Sequence, residues 1–166
     1  MAARVVRFLA IQGPNAVPED ALFEAFWPER EPRQARRSLQ VAVSSARAVL
    51  DAHGAERTVL EMTGRAYRLR LTERDVVDVD QFVLAAEAAL SARGPERVAL
   101  LEAAARRWGG EPLPEDRYED WSAAWRERLN DLYGQVLRDL ADACAAAGDH
   151  TSAVDAARRA VELAGV

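Results

Sequence analysis

The chain has 166 residues, 49% of them hydrophobic and 30% charged, with a formal charge of −5, a balance that suits one medium or two small folded domains and excludes a disordered chain. No apolar run approaches the ~20 residues that span a bilayer, and Arg4 and Arg7 interrupt the first apolar stretch, which excludes a signal peptide. The single cysteine, Cys144, cannot form an internal disulfide, so a cytoplasmic protein without membrane contact is expected.

Residues 4–11 read as a helix, with Val5, Val6, Phe8 and Leu9 apolar, and Gly13-Pro14-Asn15 ends it. A short second helix follows. Pro18 suits its first position, Glu19 and Asp20 favour its N-terminal turn, and Ala21, Leu22, Ala25 and Phe26 supply an inner face. The segment Trp27 to Pro32 is a loop, because its two prolines interrupt helix. The third helix, from about residue 33 to 51, is the most informative segment. At ~100° per residue, Ala35, Leu39, Ala42, Val43, Ala46, Val49 and Leu50 gather on one side. Arg33, Arg37, Gln40, Ser44 and Arg47 gather on the other, with Arg36 at the border. Beyond His53-Gly54, residues 57–71 read as two strands joined by a Gly64 turn. The second strand alternates Tyr67, Leu69 and Leu71 with Arg68 and Arg70, giving one apolar and one cationic face.

Residues 73–79 form a polar, acidic linker between a first domain at 1–72 and a second at 80–166. The second domain shows no strand signal. Helices are read at about 80–92, 95–108, 118–147 and 150–164, punctuated by Gly94-Pro95, the stretch Gly109 to Pro114, and Gly148-Asp149. Antiparallel helix pairs with short turns and small residues at the crossings mark a helical, TPR-like repeat array. The fold class expected is therefore mainly α: a winged helix-turn-helix with one β-hairpin, then an all-α TPR-like domain.

Helix, short helix, loop, long helix, hairpin is the order in which a major groove can be filled. The groove admits one helix, whose outer face must offer donors to phosphates and base edges, with a hairpin beside it on backbone or minor groove. Arg33, Arg37 and Arg47 suit phosphate or guanine, Gln40 suits adenine, and Arg65 and Arg68 lie on the wing. The candidate DNA-binding set is thus Arg33, Arg36, Arg37, Gln40, Ser44, Arg47, Arg65 and Arg68. Charge is divided accordingly: residues 1–72 balance at +3 and residues 73–166 at −8. All 22 basic residues are Arg, which with the abundant Ala fits a GC-rich genome, so Arg over Lys is not itself read as phosphate recognition. A solvated amphipathic helix packed on a hairpin, serving a protein–protein module, is the competing reading.

An ordered set of segments carries a family resemblance. Residues 17–29 (VPEDALFEAFWPE), 35–47 (ARRSLQVAVSSAR) and 64–69 (GRAYRL) resemble the OmpR-type DNA-binding domain of SARP-type regulators. Residues 77–82 (VDVDQF), 108–113 (WGGEPL), 125–129 (WRERL) and 146–149 (AAGD) resemble the bacterial transcriptional activator domain that follows it. The resemblance implies an activator that binds double-stranded DNA on direct repeats, as a homodimer with protomers side by side, and that recruits RNA polymerase. It places polymerase contact in the loop before the third helix, at Glu29, Arg30 and Glu31. Members of the family begin with strands that brace the first helix and continue beyond two helical hairpins, so the chain is expected to be a truncated or reduced member.

No enzyme, cofactor or metal is expected. Glu111, Glu115, Asp116, Glu119 and Asp120 read as a solvated loop and helix start, and His53 and His150 lack ligands at metal spacing. Ser44-Ser45 lacks a nucleophile elbow, and no phosphate-binding glycine loop is present. Trp121 and Trp125, with Leu129, Leu132, Val136 and Leu140, read as core, and Cys144 as a small buried apolar residue.

Overall fold

In the computed structural model, residues 1–51, 59–71 and 75–165 are described. They fall into two compact units, Met1–Val77 and Asp78–Val166. The turn read at His53-Gly54, the first residues of the hairpin and the start of the linker lie outside the described residues.

The first unit runs α1 (Ala2–Ile11), β1 (Val17–Pro18), α2 (Glu19–Phe26), α3 (Pro32–Asp51), β2 (Val59–Thr63) and β3 (Ala66–Arg70). It is a winged helix-turn-helix whose wing is the antiparallel β2–β3 hairpin, with Met62 opposite Tyr67 and Thr63 opposite Ala66. Gly64 opens the two-residue turn at a φ of +60°, a conformation that costs only glycine nothing. The amphipathy of α3 fixes the rest. Ala35, Leu39, Ala42, Val43 and Ala46 are buried, as are Val5 and Leu9 of α1, Leu22 and Phe23 of α2, and Leu60, Tyr67 and Leu69 of the hairpin, and α3 packs on α1, α2 and β2. Phe8 and Phe26 meet edge to face at 5.4 Å.

Three details differ from the sequence reading. Val17-Pro18 is a third strand, β1, pairing Val17 with Tyr67 and Pro18 with Ala66. Pro18 therefore caps α2 from extended backbone, and an edge strand tolerates its missing N–H. On α2 Leu22 and Phe23 are buried and Ala25 and Phe26 half-buried, while Ala21 is exposed, so Phe23 holds the inner place read for Ala21. Val49 is 65% exposed, at the margin of the apolar sector of α3, while Trp27 in the loop is buried at 7%.

The second unit is all α: α4 (Asp78–Ser91), α5 (Arg97–Arg106), α6 (Asp120–Ala146) and α7 (His150–Ala164), with one 3₁₀ turn at Pro114–Asp116. The helices form two hairpins, α4–α5 and α6–α7, of the TPR-like kind. Asp78 opens α4 and its Oδ1 accepts the Val79 N–H at 2.8 Å, so helix begins two residues earlier than the apolar period indicates. Asp149 caps α7 by accepting the Ser152 N–H at 3.1 Å, and the Ser152 side chain, then that backbone bond, hold its carboxyl below the ordinary carboxylate range. Phe82, Leu101, Leu129, Val136, Leu137 and Leu140 fill the core. Trp108 stacks on Tyr133 at 4.4 Å, and Phe82 meets Trp108 edge-on at 5.0 Å. Cys144 is buried, and burial pushes its thiol up.

The core assignment makes a contrast within one helix. Leu39→Ala should lower unfolding free energy by about 2–5 kcal/mol, the cost of a cavity behind α3. Val49→Ala should cost no more than about 0.5 kcal/mol, as at an exposed site. Equal losses in denaturant titrations of the two variants would show that α3 does not face the core as described.

Candidate nucleic-acid interface

Taking Arg37 as the outward crest of α3, ~100° steps put Arg33, Gln40 and Ser44 beside it on one side and Gln34 and Val41 on the other. All six are exposed. Arg33 and Arg37 make no ion pair among the described residues. Four of the eight sequence-predicted residues, Arg33, Arg37, Gln40 and Ser44, thus share one solvent-facing stripe of side-chain donors.

The other four are held inside the unit. Arg36 and Arg65 converge on Glu19, at the N-terminus of α2. Arg36 donates from Nη2 to Oε1 at 2.5 Å and from Nε to Oε2 at 3.2 Å. The Arg65 guanidinium also pairs with Oε1 of Glu19 and lies 3.7 Å from Asp20. The Glu19 side chain is only 7% exposed, against 40% for Arg36 and 67% for Arg65. A backbone bond runs alongside, from the Glu19 N–H to the Arg65 carbonyl at 2.8 Å. The wing turn is therefore pinned to α2 twice. Arg36 also lies 6.0 Å from the centre of the Phe23 ring. Arg47 donates from Nε to the Leu60 carbonyl at 3.0 Å and so ties α3 to β2. On the wing, Arg68 and Arg70 flank Glu61, each with a contact of 2.6 Å.

These pairings set the ionisation of the carboxylates. Arg36, and to a lesser extent Arg65, hold the Glu19 carboxyl below its ordinary 4.5 against the opposing pull of burial. Arg68 and then Arg70 lower Glu61 likewise. Glu19 in turn raises Arg36, and burial raises the Tyr67 hydroxyl.

The DNA-binding set read from the sequence leaves out two cations of this surface, Arg70 of the cationic strand face and Arg30, read there as a polymerase contact. Arg70 lies on the same wing face as Arg68, and the strand alternation contained that signal. Arg30 donates from Nη1 to the Ser38 hydroxyl at 2.7 Å, a loop-to-helix contact that no periodicity reports. In the second unit the acidic segment is structural. Asp116 is fully buried, not solvated, and its carbonyl accepts the Ser122 hydroxyl at 2.6 Å. Glu111 bridges Arg117 at 3.0 Å and Arg126 at 2.6 Å.

Residues 75–165 match the bacterial transcriptional activator domain, and the chain belongs to that family, in line with the resemblance to SARP-type regulators. Among proteins of known role it is similar to the transcriptional regulatory protein MoaR1 of Mycobacterium tuberculosis, at 30% identity over 149 residues, 87% of this chain and 48% of that protein. It is also similar to MoaR1 of Mycobacterium bovis, at 32% identity over 114 residues, 66% of this chain and 37% of that protein. The chain spans about half the length, or less, of these relatives.

Glu19 gives a pH test. Its folded pKa lies below its unfolded one, so its stabilisation is present above the ordinary carboxylate range and is lost as pH falls through the lowered value. Glu19→Gln should cost about 1–3 kcal/mol near neutral pH, since two donors lose a charged acceptor. The loss relative to the parent should shrink steadily below about pH 4.5 in denaturant titrations. A difference that stays constant down to strong acid would refute the assignment.

Proposed function

We propose that the chain is a DNA-binding transcription regulator that lays α3 in the major groove. The observation that carries this reading is the exposed stripe Arg33, Arg37, Gln40 and Ser44 on the face of α3 opposite its buried one. A helix can dock in a groove only if the side it offers is free of packing, and this one offers forked cationic donors and an amide in register. Arg37 and Gln40 are assigned to base edges and Arg33 and Ser44 to phosphate or sugar. Arg36, Arg47, Arg65 and Arg68 act chiefly by shaping the unit, and the wing touches the backbone through cations already partly neutralised. The names of the relatives support the regulatory role.

The finer reading is an activator that recruits RNA polymerase and binds direct repeats as a homodimer. The loop before α3 supports it: Glu29 and Glu31 are exposed on a turn that the Arg30 N–H closes on the Trp27 carbonyl at 3.0 Å, between Pro28 and the Pro32 that opens α3. Residues 73–166, with a balance of −8, suit a protein partner and not a polyanion. The four internally paired arginines favour one other reading, a winged helix that serves only as a protein-binding module.

Titration of a short duplex across a range of salt separates the two. The regulator reading expects log affinity to fall linearly with log salt, and Arg33→Ala, at a phosphate contact, to lower that slope by about one. Arg37→Ala alone should cost about 1–3 kcal/mol on a preferred sequence and relax base preference there. Salt-independent or undetectable binding by the folded chain supports the protein-binding module.

A further inference from the structure

The two flanks of α3 are unequal. One, leading to the wing, carries Arg36 and Arg47, both bonded within the unit. The other opens on a cleft of about 780 Å³ between α3, the N-terminal end of α1 and the loop before α3. Arg30, Gln34, Arg37, Ser38 and Ser45 line it with side-chain donors, above a floor that includes the buried Trp27. No carboxylate lines it. Arg37 contributes to both the crest and the cleft. Arg30 arrives from the loop and is tethered by its 2.7 Å bond to Ser38, which holds the guanidinium against the helix flank. That bond uses one donor of a group with five, so the rest of the fork remains for an acceptor.

Resting on the reading that α3 enters the major groove, we infer that this cleft is a phosphodiester site: Arg30, together with Ser38 and Ser45, grips the backbone of the strand on the side of α3 away from the wing. The physical case is one of spacing and charge. A helix seated in a groove ~12 Å wide has a backbone along each flank. On the wing side the β-hairpin meets one strand. On the far side no second hairpin lies among the described residues, so the donors at hand for the other strand are those of the cleft. The Arg30 guanidinium is the cation the loop supplies on that flank, in a cleft free of competing carboxylates. Arg30 is thereby separated from its neighbours Glu29 and Glu31: the two acids face solvent and a protein partner, and the arginine between them serves DNA. Phosphate contact carries no base information, so Arg30 contributes register and affinity, not sequence preference.

The test uses the full chain and a random-sequence duplex pool, with Arg30→Gln, Ser38→Ala, Arg33→Gln and Arg37→Gln compared by salt-dependent titration after thermal unfolding has checked folding. Arg30→Gln should weaken binding roughly fivefold to tenfold at about 0.1 M salt and reduce the slope of log affinity against log salt by about one, the share of one released counterion. Selection of preferred sequences from the pool should be unchanged. Ser38→Ala keeps the charge but frees the tether, so it should weaken binding less and leave the slope intact. If Arg30→Gln leaves affinity and slope unchanged while Arg33→Gln lowers both and Arg37→Gln lowers affinity, the cleft is not a phosphate site although α3 still binds DNA. If Arg30→Gln shifts the selected sequences, Arg30 reads bases and the inference is wrong. If none of the four variants alters binding, the major-groove reading itself fails, and this inference with it.

Discussion

A single buried carboxylate governs how the cations of the winged unit are distributed. Glu19 lies where α2 begins, beneath the border of α3 and beside the wing turn, and it receives Arg36 from one and Arg65 from the other. An acid so little exposed must be paired, because an isolated buried charge costs far more than its fold can offset. Once paired, it removes two guanidiniums from the inventory that an anion could meet and converts them into geometry. The wing cannot pivot about its turn without breaking the ion pair and the backbone bond from Glu19 to Arg65 together. A recognition helix and a wing that hold fixed positions relative to each other present a preorganised surface, and preorganisation lowers the ordering cost of binding.

The same logic recurs at smaller scale. Glu61 sits between Arg68 and Arg70, and the Leu60 carbonyl holds Arg47. Both are features of the hairpin that orient arginines. Cationic side chains on a strand face repel one another, and an acid between them reduces that repulsion while leaving a net positive wing. On the crest of α3, Arg33 and Arg37 have no ion partner among the described residues, and in the same unit Arg30 and Arg47 meet only a hydroxyl and a carbonyl. The division is between arginines that shape and arginines that reach, and composition alone is blind to it, because all 22 basic residues are the same residue type.

Much of this was legible in the sequence where one periodic signal dominates. The 3.6-residue period of α3 separates buried Leu39 and Val43 from exposed Arg33 and Arg37 without ambiguity, and the alternation of Tyr67 and Leu69 with Arg68 and Arg70 gives the wing. The order of elements and the helical hairpins of the second unit followed from glycine and proline punctuation. What was not legible depends on contacts between distant residues. Glu19 read as an acid placed for a helix dipole, since nothing in its neighbourhood reveals an arginine 46 positions away. Val17-Pro18 read as a helix start, because the strand that it pairs with lies near residue 67. Asp116 read as solvated amid other acids, and only the tertiary packing that buries it shows otherwise.

Side-chain chemistry on the crest bears on how selective such a surface can be. Arg37 offers a planar fork that matches the two acceptors of guanine, and Gln40 an amide that matches the donor–acceptor pair of adenine. They stand three residues apart, close to one turn of helix, so in the proposed docking they would address neighbouring steps of the duplex and not one base pair. Val41, exposed at 64% on the same crest, has no polar partner to seek and is the kind of side chain that meets a thymine methyl. A short run of fork, amide and methyl contact along one exposed stripe can discriminate three adjacent positions. On the proposed docking, the phosphate-directed groups beside them would fix the register at which those positions are read. On the proposed docking, base-directed Arg37 and Gln40 and phosphate-directed Arg33 and Ser44 share one face of α3, the face that the internal ion pairs leave uncovered.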